Sequence, residues 1–589
     1  MKKLEEQIRA LLPYLYAGLG YLVIAVVVTW PLIEVLNEEV IRYPYDISPD
    51  IEGTFWYHWW VKYALLNGHD INFCDMIYSP VGRNVLLLFK NNLDCFFAFP
   101  LLCLFGFPSY YNIFCILIMI VNGLAVYALA RRFTENHMLA FLTGFLVSFN
   151  HFTINELQCG RIIQTVIATP ALYILFFLKL LEEDRRRNIV YLALILLINA
   201  LLYWFYGMFL VIFTAAFLLF YALFYRARLG RPQIIRLIMS YGLFAILVIP
   251  FIAPFFTQIK TEGGMPQTPF FQDYPTMSEM LQTDEDTDPR KFAFQLSARI
   301  DSEPFFYPLV LIAIGVFLSF FRMKECGYHW ILTMLFLFSL AMGPYLFFNG
   351  THYDIKLPYY FFYKYVPLYS RLFWPLRIMS VVLIITGVLF TVNMEWIFSR
   401  IRSDNRKIIC SSVVLILIFF TLYETFQMKR ILPFEMSPVK IPRVFKSLAA
   451  EKGDIIELPF FYCAKSVINQ MAHNRKILGG PGISATWDHP QQFTSFWRSN
   501  SFLVYLNELN DLYIPFPTFA PEDLVAVKKM GFRFLVLYPE YCRQANFHIL
   551  REDTEELQQA LITRLQNAME ALFGKPVYKS DEVIIYEME

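Results

Sequence analysis

Short basic loops alternate with acidic or aromatic loops between long apolar runs, and that alternation leaves few folds open. Segments 1–10, 131–137, 182–188, 226–236, 322–328 and 399–407 hold 18 Lys/Arg in 51 residues. The intervening segments 36–92, 153–163, 257–304 and 349–374 hold 12 in 142. Basic loops stay on the cytoplasmic side of a membrane, so the two sets predict opposite sides. The apolar runs approach the thickness of a bilayer. A chain that is 57% hydrophobic, 18% aromatic and only 17% charged, with mean hydropathy +0.45, does not have the composition of a soluble protein of this size. It reads as a polytopic α-helical membrane protein. The formal net charge of +1 gives no electrostatic case for nucleic acid as a partner.

Lys2, Lys3 and Arg9 precede the first apolar run, 11–35. That run is too long for a signal-peptide core and lacks a small-residue cleavage pattern, so it predicts a retained first helix. Further spans are predicted at 109–130, 138–152, 164–181, 188–204, 206–225, 236–256, 305–321, 329–348, 375–398 and 408–426. About eleven crossings put the N-terminus inside and everything after about 430 outside. The stretch 188–225 is too long for one helix and is divided at Tyr203–Gly207. The run 93–107 is short and contains Pro100, which suits an interfacial or re-entrant segment. In the long first outer loop, 36–92, residues 52–67 suit an amphipathic helix with Trp56, Trp59, Trp60 and Tyr63 at headgroup depth. His58 then reads as an interfacial side chain. YSPVGRN at 78–84 reads as a turn.

The chain divides near 430. Residues 1–430 form the transmembrane part, and 431–589 read as a soluble α/β domain. Strands are predicted at 454–461, 532–538 and 583–588, and helices at 522–531 and 554–573. The last helix has Asp553 and Glu556 as a capping pair and Gly574 and Pro576 as its stop. This domain has no nucleophile elbow and no phosphate loop. The nine cysteines show no CxxC or Cys/His spacing, which argues against a zinc site. Cys463 and Cys542 fall on one side of the membrane, but spacing alone does not pair them.

Five residues are candidates for chemistry. Asp46 and Asp50 lie in YPYDISPDIEG, about a dozen residues past the first helix. A carboxylate there suits a general base toward an acceptor hydroxyl or amine, an oxygen ligand for a divalent cation, or a cap for the helix that follows. Glu52 sits in that helix's first turn, where negative charge is favourable in any case. Arg161 lies in a short outer loop, and Arg371 and Arg377 lie in SRLFWPLRIMS. The planar fork of arginine suits a phosphate or diphosphate, and it equally suits contact with lipid headgroups. Arg377 falls inside an apolar run, so its guanidinium needs a partner or a polar cavity.

The layout resembles the GT-C superfamily of integral membrane glycosyltransferases. It is similar above all to a group of large bacterial membrane proteins related to that superfamily. The matching features are Asp50 followed by Trp56 and Trp60, IYSPVGRNVL at 77–86, YYNIFCIL at 110–117 and NGLAVYALARRFT at 122–134. They continue with PALYILFF at 170–177, SRLFWPLRIMS at 370–380, IIELPFF at 455–461 and MGFRFLVLYPE at 530–540. The resemblance implies transfer of a sugar from a polyprenyl-phosphate donor to a glycan, lipid or protein acceptor at the outer face of a bacterial cytoplasmic membrane. It implies Asp50, with Asp46 second, as base, and Arg371 and Arg377 on the donor phosphate. No cofactor follows from the sequence, and a divalent cation is compatible with these carboxylates. Two departures stand out: the first loop has no adjacent Asp-Glu pair, and 153–164 offers Cys159 and Arg161 where a histidine is expected. The rival readings are a lipid-linked glycan flippase and a non-catalytic envelope-assembly protein. A flippase predicts several charges at mid-membrane depth, and the sequence offers few.

Overall fold

The computed structural model describes residues 2–42, 50–85, 93–225, 230–261, 309–348, 351–366, 369, 372, 375–401, 406–427, 436–439, 441–480, 490–550 and 554–588. The chain forms two compact units. One comprises 1–44, 91–252 and 268–438, and the other 45–90, 253–267 and 439–589. The second unit joins most of the first outer loop to residues 439–589.

In chain order the helices up to residue 261 are α1 (Lys2–Val28), α2 (Asp50–Asn67), α3 (Leu93–Phe105), α4 (Ser109–Ala130), α5 (His137–Ser148), α6 (His151–Gln158), α7 (Ala168–Glu182), α8 (Arg187–Leu202), α9 (Trp204–Tyr225) and α10 (Arg231–Thr261). They are followed by α11 (Leu309–Phe321), α12 (Met323–Cys326), α13 (Tyr328–Ala341), α14 (Pro358–Tyr365), α15 (Met379–Ser399) and α16 (Arg406–Gln427). Among the described residues six helical segments are long and apolar enough to cross a membrane, or seven if the bent α5–α6 pair is one span. Shorter apolar helices include α3, α8, α13 and the Ile408–Tyr423 part of α16. The chain is a mostly helical multi-pass membrane protein with a small mixed sheet near its C-terminus.

Several expected boundaries move, each for a local reason. The first helix stops at Val28 rather than 35, because Trp30 precedes Pro31 and is pushed out of the helical region. The run 329–348 is helical only to Ala341. Tyr345–Phe348 instead pairs antiparallel with strand Thr351–Lys356, and a short aromatic run serves either state. The division of 188–225 falls at Tyr203, the extended residue between α8 and α9.

Ion pairs join the basic loops at one end of the first unit. Arg132 bonds Glu182, and Arg236 bonds Asp184. Arg322 and Arg400 both lie over the Trp396 ring, at 4.1 and 4.6 Å. Loops assigned to one side by charge thus meet in space.

Polar side chains and small residues hold the bundle. Asn393 of α15 donates to the Gly315 carbonyl at 3.0 Å and to Ser319 at 2.6 Å, and accepts from Arg322 at 2.7 Å. Tyr21 of α1 stacks on Phe141 and is seated against Gly123 and Gly144, where added Cβ atoms would fall 2.7 Å and 2.0 Å from it. Without a hydrophobic drive between helices in lipid, such close approach and interhelical hydrogen bonding are what associate them.

The second unit carries the sheet. Strand Asp454–Leu458 runs parallel to Phe532–Leu537, and Ile584–Glu587 pairs antiparallel on the other side, with Tyr578–Lys579 at the edge. The predicted strand 454–461 stops at Leu458 because Pro459 follows. Helix Glu555–Phe573 is capped by Thr554, whose hydroxyl accepts from the Leu557 amide at 3.3 Å; the expected cap Asp553 lies outside the described residues. Cys463 and Cys542 are both buried free thiols.

Helix α2 is not an amphipathic surface helix. Trp56 and Trp60 are 0% exposed, and Trp59 and His58 are buried with them. Every residue from Thr54 to Val61 is buried, on all faces of the helix, which makes this stretch a core helix. The Trp56 Nε1 donates to Gln470 Oε1 at 2.7 Å, and the Gln470 amide donates to the carbonyls of Met76 and Arg475, both at 2.8 Å. The YSPVGRN turn is held beside it by Tyr78 N–H to the Gly479 carbonyl at 2.8 Å. Gln470→Met leaves the buried Trp56 indole N–H and the part-buried Arg475 carbonyl without their partner, at about 1–3 kcal/mol each before relaxation, while the Met76 carbonyl keeps its bond from the Ile477 amide. A loss of about 2–4 kcal/mol in local stability is expected by hydrogen exchange over 470–480. Unchanged protection there would mean that the amide is not what ties these segments together.

Candidate functional site

The candidate site of the first unit is built where α5–α6, α8–α9 and the start of α15 are interrupted. Helix α5 ends at Ser148, and the direction bends by 46° into α6. Asn150 starts α6 by accepting from the Thr153 amide at 3.1 Å. Gly160 stops it in a left-handed conformation, φ +71°. The amide of Gly160 bonds the Leu157 carbonyl at 3.0 Å and that of Arg161 bonds the Glu156 carbonyl at 2.9 Å, the paired bonds of a glycine-terminated helix. This turn folds Arg161 back over Glu156, with Nη1 3.5 Å from Oε1. Their side chains are 15% and 6% exposed. The segment expected as an outer loop, 153–163, is therefore a mostly buried helix and turn.

A 3₁₀ turn, Ile162–Thr165, leads into α7. Buried Asn122 of α4 fixes it: its amide donates to the Thr165 carbonyl at 2.7 Å, and its oxygen accepts from the Ala168 amide at 2.9 Å. Gln164 is thereby held against the next break. There Tyr203 takes an extended conformation, and its ring packs edge-on to Tyr206 at 5.1 Å. The Tyr206 hydroxyl donates to the Gln164 carbonyl.

Arg377 arrives from the third break. Pro375–Ile378 is a 3₁₀ turn ahead of α15, and the Ser380 hydroxyl donates to the Arg377 carbonyl at 2.8 Å. The half-buried guanidinium donates through Nη1 to the Tyr203 hydroxyl at 2.8 Å and lies 5.7 Å from the Tyr203 ring centre. Gln164 and Glu156 both lie within electrostatic range of Tyr203, and Glu156 also within range of Tyr206. Just upstream, the Tyr359 hydroxyl donates to the Leu372 carbonyl.

Of the residues expected from sequence, Arg161 and Arg377 join this one cluster. Asp50 belongs to the other unit, as the first residue of α2, where its carbonyl accepts from the Thr54 hydroxyl at 2.9 Å. Asp46 and Arg371 lie outside the described residues. Sequence reading missed Glu156, Gln164, Tyr203 and Tyr206. The signal was present for Glu156, since Asn150 and Gly160 are a helix start and stop ten residues apart.

The cluster has two guanidinium groups and one carboxylate, a net positive charge in a mostly buried setting lined by tyrosine hydroxyls. Glu156 Oε2 and Gln164 Oε1 are buried and have no hydrogen-bond partner among the described residues. Buried polar atoms are normally paired, with protein, water or ligand. The arrangement is therefore fit to hold a small anion that also carries polar groups.

No protein-family model matches the chain, and no curated protein matches it. Solved structures do. The Archaeoglobus fulgidus oligosaccharyltransferase, in complex with zinc and sulfate, is similar over 96% of this chain and 72% of its own, at 10% identity and a TM-score of 0.48. ArnT from Cupriavidus metallidurans, bound to undecaprenyl phosphate, is similar over 97% of this chain and 98% of its own, at 11% identity and a TM-score of 0.43. The archaeal oligosaccharyltransferase AglB, with an inhibitory peptide and a dolichol-phosphate, is similar over 93% of this chain, at 11% identity and a TM-score of 0.38. The likeness to these GT-C membrane glycosyltransferases runs over nearly the whole chain at low sequence identity.

Proposed function

We propose that this protein is a membrane glycosyltransferase that moves a sugar from a polyprenyl-phosphate donor to a cell-envelope acceptor. The observation that carries the reading is the Arg377–Tyr203 pair, set with Gln164, Glu156 and Arg161 in one buried polar cluster where three membrane segments are interrupted. A guanidinium in an apolar run is costly unless it has such a setting, and a lipid-linked phosphate is an anion delivered by the membrane itself. The sequence resemblance to the GT-C superfamily points the same way.

The reaction is an inverting displacement. The acceptor hydroxyl or amine attacks the anomeric carbon of the sugar. The bond from that carbon to the phosphate oxygen breaks, and polyprenyl phosphate leaves with the electron pair. Arg377 and Arg371 stabilise the charge that grows on the leaving phosphate, as preorganised cations do. Asp50 takes the acceptor's proton. Asp46 is the second candidate for that role, and a divalent cation at these acids is compatible with it. The N-terminus lies in the cytoplasm, and the tail lies outside a bacterial cytoplasmic membrane, where it orients the acceptor.

The test is a transfer assay in nanodiscs with radiolabelled polyprenyl-phosphate sugars and a membrane extract as acceptor, with and without EDTA. Label is expected to reach a new product with the unmodified protein and not with Asp50→Asn. Full turnover by that variant would remove Asp50 as base. Saturable donor binding without transfer from any donor would favour a flippase or a silent relative.

A further inference from the structure

Two acceptor atoms of the cluster have no role in holding a phosphate. Glu156 Oε2 and Gln164 Oε1 are buried, without hydrogen-bond partners among the described residues, and both residues lie within electrostatic range of Tyr203, which binds Arg377. A phosphate accepts hydrogen bonds and satisfies neither atom. A group that donates, placed next to the phosphate, satisfies both. Leaving them unpaired costs about 1–3 kcal/mol per atom, more for the carboxylate.

We infer that Glu156 and Gln164 form a subsite that reads hydroxyl groups of the donor sugar while Arg377 holds the adjoining phosphate. This deepens the proposed function and rests on it. The positions are fixed from outside the subsite. The Gly160 turn and Arg161 set Glu156, and Asn122 sets the segment that carries Gln164. A site built to pair with hydroxyls discriminates strongly against a ligand that lacks them, because its own buried groups are then left bare.

The experiment compares two ligands on the full chain in nanodiscs: polyprenyl phosphate without a sugar, and the same lipid phosphate carrying a neutral hexose. The unmodified protein is expected to bind the second more tightly. Glu156→Gln and Gln164→Met should each abolish most of that difference, a loss of about tenfold or more in affinity for the glycosylated lipid. Binding of the bare lipid phosphate should change far less, because Arg377 and Tyr203 stay in place, and should tighten where Arg161 is released from Glu156. Thermal melting identifies a variant that has failed to fold, and the other variant then decides. An equal loss for both lipids, or no change for either, overturns the subsite. Failure of the unmodified protein to bind either lipid overturns the proposed function and the subsite with it. A deoxy or amino sugar as third ligand separates hydroxyl reading from simple attraction of Glu156 to a cation.

Discussion

Arg377→Ala is expected to lower the rate of sugar transfer about 100- to 1000-fold, the cost of removing a preorganised charge aimed at a developing anion. Arg377→Lys should recover little of it. An ammonium is a point charge on a flexible stem and cannot hold both the Tyr203 hydroxyl and a phosphate oxygen in fixed directions. Tyr203→Phe removes one hydrogen bond to a charged group, about 1.5–3 kcal/mol, and should cost roughly 10- to 150-fold. The order Ala, Lys, Phe is informative because it separates charge from orientation. Binding of polyprenyl phosphate by the Arg377→Ala variant is the check. Affinity within twofold of the unmodified protein would show that the phosphate lies elsewhere and that Arg377 is only a buried cation satisfied by its tyrosine.

The second large effect concerns the tail. Glu457 is buried in strand Asp454–Leu458, and burial pushes its carboxyl up from 4.5 to about 7, although Ser466 and Tyr538 donate to its Oε1. Asn469 in turn donates to the Tyr538 hydroxyl at 3.1 Å. The folded domain holds this proton where the unfolded chain, near pH 4.5, has released it. Between about pH 4.5 and 7 the native state therefore binds more protons, and stability falls as pH rises, levelling off above about 7. The full span amounts to about 3 kcal/mol. Glu457→Gln keeps an acceptor for both hydroxyls and removes the titration. Hydrogen exchange of the strand amides should slow in the variant at pH 8 and match the unmodified protein near pH 5. Parallel pH profiles for the two proteins would contradict a protonated Glu457.

How much of this was legible depends on where each element finds its partner. Charge alternation grouped 131–137, 182–188 and 226–236, and Arg132–Glu182 and Arg236–Asp184 join those three segments. Arg377 stood out because a guanidinium in an apolar run needs a polar setting. Tyr203 was legible only as a break; its hydroxyl gained meaning from a residue 174 positions away. Helix α6 was missed because eight residues with Glu156 and Gln158 look polar enough for a loop, although Asn150 and Gly160 mark both ends. The misreading of α2 has a different origin. Tryptophan-rich apolar helices suit a headgroup layer and a protein core equally, and nothing within 36–92 announces that Gln470 will cover Trp56.

That pairing has a consequence for the order of synthesis. Trp56 and Gln470 are 414 residues apart. At 5–20 residues per second, about 20–80 s separate their emergence. For that interval α2, with Phe55, Trp56 and Trp60, exists without the surface that buries it, a species prone to association with other chains. A chain cut after α16 would not be a smaller intact protein. It would be a nascent intermediate held permanently open, and its α2 would be the segment a chaperone or protease meets first.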